Sequence, residues 1–282
     1  MKNELSNAYS GAIAFAKSHY ENFPVISLFI PKNLRKHVAV IYRFARQADD
    51  FADEGNLTEE ERLNLLENYE NDLSLCLNSQ YKNSFWQALH NTIKELNLSQ
   101  KYFYDLIKAF KQDVVKNRYN TFEEVKYYCK NSANPVGRLV LELFDIRDEQ
   151  LNLYSDNICT ALQLTNFYQD VKIDYLKNRI YIPSDELEKY NVNEKVFILS
   201  KINSNFKKLM KFQISRAKEF FNNGKPLFNY LPAMLKLEIK WTVLGGEAIL
   251  NKIEKIDFDV LNKRPVLNKI DYFSLMIKSF FA

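Results

Sequence analysis

Asp49 and Asp53 form one D-x-x-x-D pair, and Asp170 and Asp174, far along the chain, form another. Residues four apart share one face of an α-helix, where two like charges cost about 0.2–0.5 kcal/mol unless something neutralises them. A divalent cation would do so. Carboxylate oxygens are hard ligands, and Mg²⁺ takes one or two of them together with waters and substrate phosphates. Two such pairs therefore suit a grip, through several ions, on a diphosphate about to leave its carbon.

The neighbouring residues extend each pair into a stripe. At 100° per residue, Tyr42, Arg46, Asp49 and Asp53 fall within about 60° of one another around the helix axis. Asn166, Asp170 and Asp174 make a second stripe, with Gln163 beside it and Arg179 just past the helix end. Ala45, Ala48 and Ala52 flank the first, and Leu162, Leu164, Phe167 and Val171 the second. Helices so clothed are expected to be buried on most sides, with the stripes facing the interior, where an unpaired carboxylate would be very costly. The alternative, that a stripe is the solvated face of an amphipathic helix, would suffice for one pair alone; two copies weigh against it.

Other chemistries leave no comparable pattern. His19, His37 and His90 lack H-x-x-x-H spacing and are expected to be surface or satisfied core residues. No G-x-x-x-x-G-K-[ST] or G-x-G-x-x-G occurs, so nothing signals a nucleotide held by a glycine-rich loop. Cys76, Cys129 and Cys159 are odd in number and lack C-x-x-C spacing, which suggests neither a disulfide framework nor a zinc site and fits a reducing cytoplasm. The net charge of +4 is spread along the chain, so no nucleic-acid partner is expected. Aromatic residues make up 14% of the chain, which suits either extra core packing or a ring-lined cavity.

The elements that must position the stripes read as helices. With 6 Gly and 7 Pro in 282 residues, the chain has few breakers, and its apolar residues recur at helical spacing, which predicts an all-α fold. Helices are expected from Pro31 to about Glu54, then over 58–77, 84–96, 99–116 and 121–144, with Thr58 and Thr121 as openers. A long periodic stretch over 147–176 carries the second pair, 177–183 departs from the helical pattern, and further helices are expected over 194–222 and 230–253. No Gly/Ser linker or repeat divides the chain, so residues 1–282 read as one domain. No apolar run is long enough to span a bilayer. The tail from Asp271 carries Phe273, Leu275, Met276, Ile277, Phe280 and Phe281; docking of a terminal helix onto the core is the favoured reading, with peripheral membrane contact as the alternative.

Four segments together resemble the squalene and phytoene synthase family over nearly the whole chain: HYENFPVISLFIP from His19, IYRFARQADDFADE from Ile41, YYCKNSANPVG from Tyr127, and LTNFYQDVKIDYLKNRIYIP from Leu164. The resemblance implies a single isoprenoid-synthase helical bundle around a central apolar cavity. It implies Mg²⁺ as cofactor, held by Asp49, Asp53, Asp170 and Asp174 with help from Asn166, and leaves Asp50 open. Arg46, Arg179, Asn166 and Gln163 would bind the substrate diphosphate. Tyr42 and Tyr128 match family tyrosines near the reacting centre, where a ring face and a phenol suit a carbocation or the departing diphosphate. Packing in an aromatic core is the competing reading for both.

Within the family, Glu21-Asn22-Phe23-Pro24, Asn134-Pro135-Val136-Gly137, Gln169 before Asp170, and Tyr20 are similar to the bacterial branch that makes hydroxysqualene from presqualene diphosphate in hopanoid synthesis. The implied reaction is Mg²⁺-dependent loss of diphosphate, rearrangement of the cation and capture of water. Head-to-head condensation of two farnesyl diphosphates to presqualene diphosphate or squalene is the alternative, and a non-catalytic assembly protein on the same fold is the alternative of another class. The cysteine usage leads to the expectation of a cytoplasmic protein, and the tail, if not wholly docked, to peripheral contact at the inner membrane face; the resemblance adds partner enzymes upstream and downstream in squalene synthesis.

Overall fold

A computed structural model describes residues 2–18 and 29–280. The described residues form fourteen α-helices, one 3₁₀ turn and a single isolated parallel bridge between Arg118 and Ile180, so the fold is all-α. None of the helices is long and apolar enough to cross a membrane. The chain groups into two compact units, Met1–Val115 with Arg138–Asp148, and Lys116–Gly137 with Glu149–Ala282.

The first unit contains α1 (Lys2–Ser18), α2 (Lys32–Asp53), α3 (Glu59–Leu77), α4 (Ser84–Glu95) and α5 (Gln100–Val115). Thr58 opens α3 with a capping box, its hydroxyl accepting from the Glu61 amide while the Glu61 carboxylate takes the Thr58 amide. Along α2, His37, Ile41, Phe44, Ala48 and Ala52 recur every three or four residues and are all buried. Phe44 sits at the centre, stacked on Tyr69 at 5.1 Å and edge-on to Trp86 and Phe103 at 6.2 and 5.2 Å. Full burial of one such ring contributes about 1.5–3 kcal/mol. Because this stripe faces inward, the stripe of Tyr42, Arg46, Asp49 and Asp53 on the other side of α2 is left half-buried.

The second unit is built around α8 (Glu149–Gln169), packed against α6 (Phe122–Ser132), α12 (Ser204–Gly224) and α13 (Ala233–Lys255). The helix expected over 121–144 is two helices, α6 and α7 (Asn134–Leu143), parted at Ala133. Pro135 is the reason: it has no N–H to donate and its ring disfavours continuing the preceding turn. The first turn of α7 then lies so close to α8 that a Cβ on Gly137 would stand 2.4 Å from Ser155 Oγ and 2.5 Å from Cys159 Sγ.

The stretch expected over 147–176 also breaks, at Asp170, between α8 and α9 (Val171–Leu176). Segment 177–183 is non-helical as expected and carries the bridge to Arg118. The helix expected over 194–222 is preceded by α10 (Ser184–Lys189) and divides into α11 (Lys195–Leu199) and α12. Ser200 adopts a left-handed conformation (φ 50°), and Asn203 caps α12 through the Phe206 amide. These are local signals that outweigh the apolar periodicity around them. The helix expected from Tyr230 begins three residues later, because Lys225–Asn229 forms the 3₁₀ turn and Pro232 sets the new start. The last helix, α14 (Lys269–Ser279), opens with a capping box of Asn268 and Asp271 and packs on α13, as the favoured reading of the tail has it. Phe281 lies outside the described residues.

Candidate functional site

Each acidic pair lies in a different unit, and each already has an arginine against it. On α2, Arg46 Nη1 is 3.3 Å from Asp49 Oδ2, its Nε donates to Asp50 Oδ1 at 2.8 Å, and Nη2 is 4.0 Å from Glu54. Asp50 is thus an anchor for Arg46. The Asp49 side chain is 40% exposed, so the stripe is open to solvent rather than sealed in the interior as the sequence suggests. Tyr42 is half-buried and tilted against Phe15 of α1 at 6.4 Å.

In the second unit the four-residue spacing survives the break at Asp170. The Asp170 amide donates to the Asn166 carbonyl at 2.9 Å and the Asp174 amide to the Asp170 carbonyl at 2.8 Å, so α-type bonds run through the bend. Asn166 is exposed, and Gln163, Asp170 and Asp174 are half-buried, while Leu164, Phe167 and Val171 between them are buried. Arg179 is half-buried just beyond α9, and its amide closes onto the Asp174 carbonyl at 2.8 Å. Here too the stripe is accessible.

Sequence reasoning missed Arg264. It lies between α13 and α14, and its guanidinium makes a fork onto Asp170, with Nε to Oδ1 and Nη2 3.0 Å from Oδ2. The hydrogen bonds to Asp170 hold the Arg264 proton more firmly than usual, burial opposes this, and the charges of Asp170 and Asp174 add to it. Gln169 is wholly buried, and its Nε2 donates to the Pro265 carbonyl at 2.6 Å, fixing the residue next to Arg264. Gln169 is thereby engaged with the backbone beside Arg264. The only sequence signal for Arg264 was indirect: half-buried carboxylates require a counter-charge.

Tyr128 is buried among rings, 5.9 Å from Phe167, 6.0 Å from Tyr119 and 5.8 Å from Tyr181, and Tyr181 stacks on Phe167 at 3.7 Å. These rings adjoin the second stripe in sequence, since Phe167 follows Asn166 and Tyr181 lies two residues after Arg179. Asn134, one of the residues that set this chain apart in its resemblance, is buried and accepts from Thr160 Oγ1 at 3.1 Å. Tyr20 and Glu21-Asn22-Phe23-Pro24 lie outside the described residues, as does His19. His37 is a satisfied core residue, with Nδ1 3.0 Å from Thr92 Oγ1 and Nε2 3.5 Å from Glu95; His90 sits at the surface against Tyr81.

The donor set fits Mg²⁺: hard oxygens, two carboxylates to a stripe, with the other positions left to water and phosphate. Among the described residues no three His, Cys, Asp or Glu gather into a cage made of protein ligands alone.

The squalene/phytoene synthase family profile matches residues 16–271, and the chain belongs to that family. It is 40% identical over 193 residues to a hydroxysqualene synthase of Zymomonas mobilis, a match covering 66% of this chain and 62% of that relative's length. It is 28% identical over 276 residues to a phytoene synthase of Arthrospira platensis, covering 92% and 88%. Among solved structures, squalene synthase HpnC from Alicyclobacillus acidocaldarius superposes with a TM-score of 0.85 at 35% identity, over 90% of this chain and 96% of that one.

Proposed function

We propose that the chain converts presqualene diphosphate and water to hydroxysqualene and diphosphate. The single observation that carries this reading is the 40% identity to a hydroxysqualene synthase, in a chain that keeps both aspartate pairs. Asp49, Asp53, Asp170 and Asp174, with Asn166, would hold Mg²⁺, which when bound would draw charge from the diphosphate oxygens and ease its departure. Arg46 and Arg264 would exchange their present carboxylate partners for the departing diphosphate, and Arg179 and Gln163 would donate to it. The C–O bond breaks with its electron pair leaving on diphosphate; the cyclopropylcarbinyl cation rearranges and water adds, releasing a proton. Tyr42 and Tyr128 would present ring faces and phenols to the cation.

Purified protein with Mg²⁺ and no reductant, given presqualene diphosphate or farnesyl diphosphate separately, tests this by mass spectrometry of the extract. Hydroxysqualene from presqualene diphosphate alone is the expected result. Consumption of farnesyl diphosphate would instead establish a condensing synthase, a reading that similarity to phytoene synthases favours. Turnover of neither would leave the assembly-protein reading. A cytoplasmic location, enzymes before and after this step as partners, a place in hopanoid synthesis, and peripheral contact with the inner membrane face belong to the same proposal, since a C30 hydrocarbon alcohol partitions out of water.

A further inference from the structure

Peripheral contact requires a surface that a bilayer can hold, and the outer side of α14 carries one. The inner side is occupied: Leu275 and Ser279 are buried, Trp241 Nε1 donates to the Tyr272 carbonyl at 3.3 Å, and Lys252 pairs with Asp271 at 2.7 Å. On the outer side, Ile270, Phe273, Ile277 and Phe280 recur at spacings of three and four and fall within about 80° of one another around the axis. They are 78%, 61%, 43% and 56% exposed.

On the adjoining flank a groove of about 290 Å³ runs between α13 and α14, with Lys252, Lys255 and Lys278 on its walls. Its two carboxylates, Asp271 and Glu247, are paired with Lys252 and Lys225. Lys255 and Lys278 are exposed; the charge of Lys255 reaches Asp271, whose ion pair is with Lys252. An apolar face with lysines on its flank lies stably in a membrane interface, where acyl chains take the one and lipid phosphates the other. A second copy of this chain would bring the same lysines against these, whereas an anionic bilayer supplies opposite charge and apolar depth together.

We propose that α14 and the groove beside it form a docking site for a bilayer bearing anionic lipid headgroups. The apolar stripe enters the acyl boundary, and Lys255 and Lys278 hold headgroup phosphates. The reading of the substrate as a prenyl diphosphate gives this surface its purpose, but its test does not depend on turnover.

Co-sedimentation with phosphatidylcholine vesicles and with mixed phosphatidylcholine–phosphatidylglycerol vesicles is the measurement. The protein should bind the mixed vesicles and not the neutral ones, and added salt should weaken the binding. Lys255→Gln and Lys278→Gln should each lower the partition coefficient about fivefold. The double variant Phe273→Gln/Ile277→Gln alters exposed side chains, should keep its helical circular dichroism, and should lose vesicle binding. Failure to bind mixed vesicles, equal binding to both kinds, or unchanged binding by the double variant would overturn the proposal. So would a dimer in light scattering that the double variant dissolves, since the face would then be an interface between copies. Turnover of detergent-dispersed substrate is read separately: the double variant should match the unaltered protein there, and inactivity of both would count against the proposed function alone.

Discussion

The carboxylates most open to test are Asp49 and Asp170, each of which has an arginine against it. Asp49→Asn or Asp170→Asn should lower kcat by about 10²–10³-fold or more while circular dichroism stays helical; near-normal turnover in either would remove that residue from the metal set. Arg264→Gln leaves Asp170 without its fork, and turnover should fall by about 10–100-fold, with apparent diphosphate affinity weakened; unchanged kinetics would make Arg264 a counter-charge only. His37 offers a pH test. Burial, with help from Lys36 and against the pull of Glu95, lowers its pKa below the ordinary value of 6.5. A folded-state pKa below the unfolded one means stability that is fully present above about pH 6.5 and is lost as pH falls toward the folded value. The melting temperature should therefore drop from pH 7.5 to pH 5.5, and drop less in His37→Gln. At this scale helical spacing places Arg46, Asp49 and Asp53 on one face of α2 and sets Asp170 and Asp174 four residues apart, whereas Arg179 lies beyond α9 and its part in a site rests on the resemblance alone. Arg264 was not legible, because ninety-four positions separate it from Asp170 and no periodicity links them.

Among the elements, the long helices were legible from apolar spacing and their openers from Thr58 and Thr121, both of which cap as their chemistry predicts. The breaks were less so. Ala133 and Ser200 interrupt stretches whose periodicity runs on across them, and only Pro135 announces the first; nothing in the type of residue 200 requires a left-handed turn. Exposure of the acidic stripes was misjudged for a related reason, because the apolar residues flanking a stripe report the burial of their own faces and not of the face between them. Gly137, in the first turn of α7, lies close against α8. Gly137→Val would drive a side chain into Ser155 and Cys159, and overpacking of that kind costs about 1–3 kcal/mol or more. In a chain of this size the melting temperature should fall by several degrees; an unchanged value would mean that α7 can shift away without loss.

For the whole molecule, the acidic pairs predict how ligands stabilise it. Mg²⁺ alone has to displace arginine from Asp49 and Asp170, and inorganic diphosphate alone meets carboxylates, whereas the two together satisfy both signs of charge. At about 100 times its Kd a ligand adds about 2.7 kcal/mol, which for a domain of this length corresponds to roughly 5–10 °C. Differential scanning fluorimetry should show such a rise with Mg²⁺ and diphosphate together and a much smaller one with either alone. Equal shifts from each alone would argue against shared binding.

The three cysteines have a practical bearing on the bilayer question. Cys76 and Cys129 are buried, and burial pushes the thiols of Cys76 and Cys159 up to about 12 and that of Cys129 higher still. Near neutral pH almost none of the reactive thiolate is present, so maleimide dyes should find little to attack in the folded protein. A cysteine introduced at Ser274, on the exposed side of α14, would then be the one site that takes an environment-sensitive fluorophore. The chain supplies its own dark background, against which the arrival of lipid beside that helix could be watched as a change of colour.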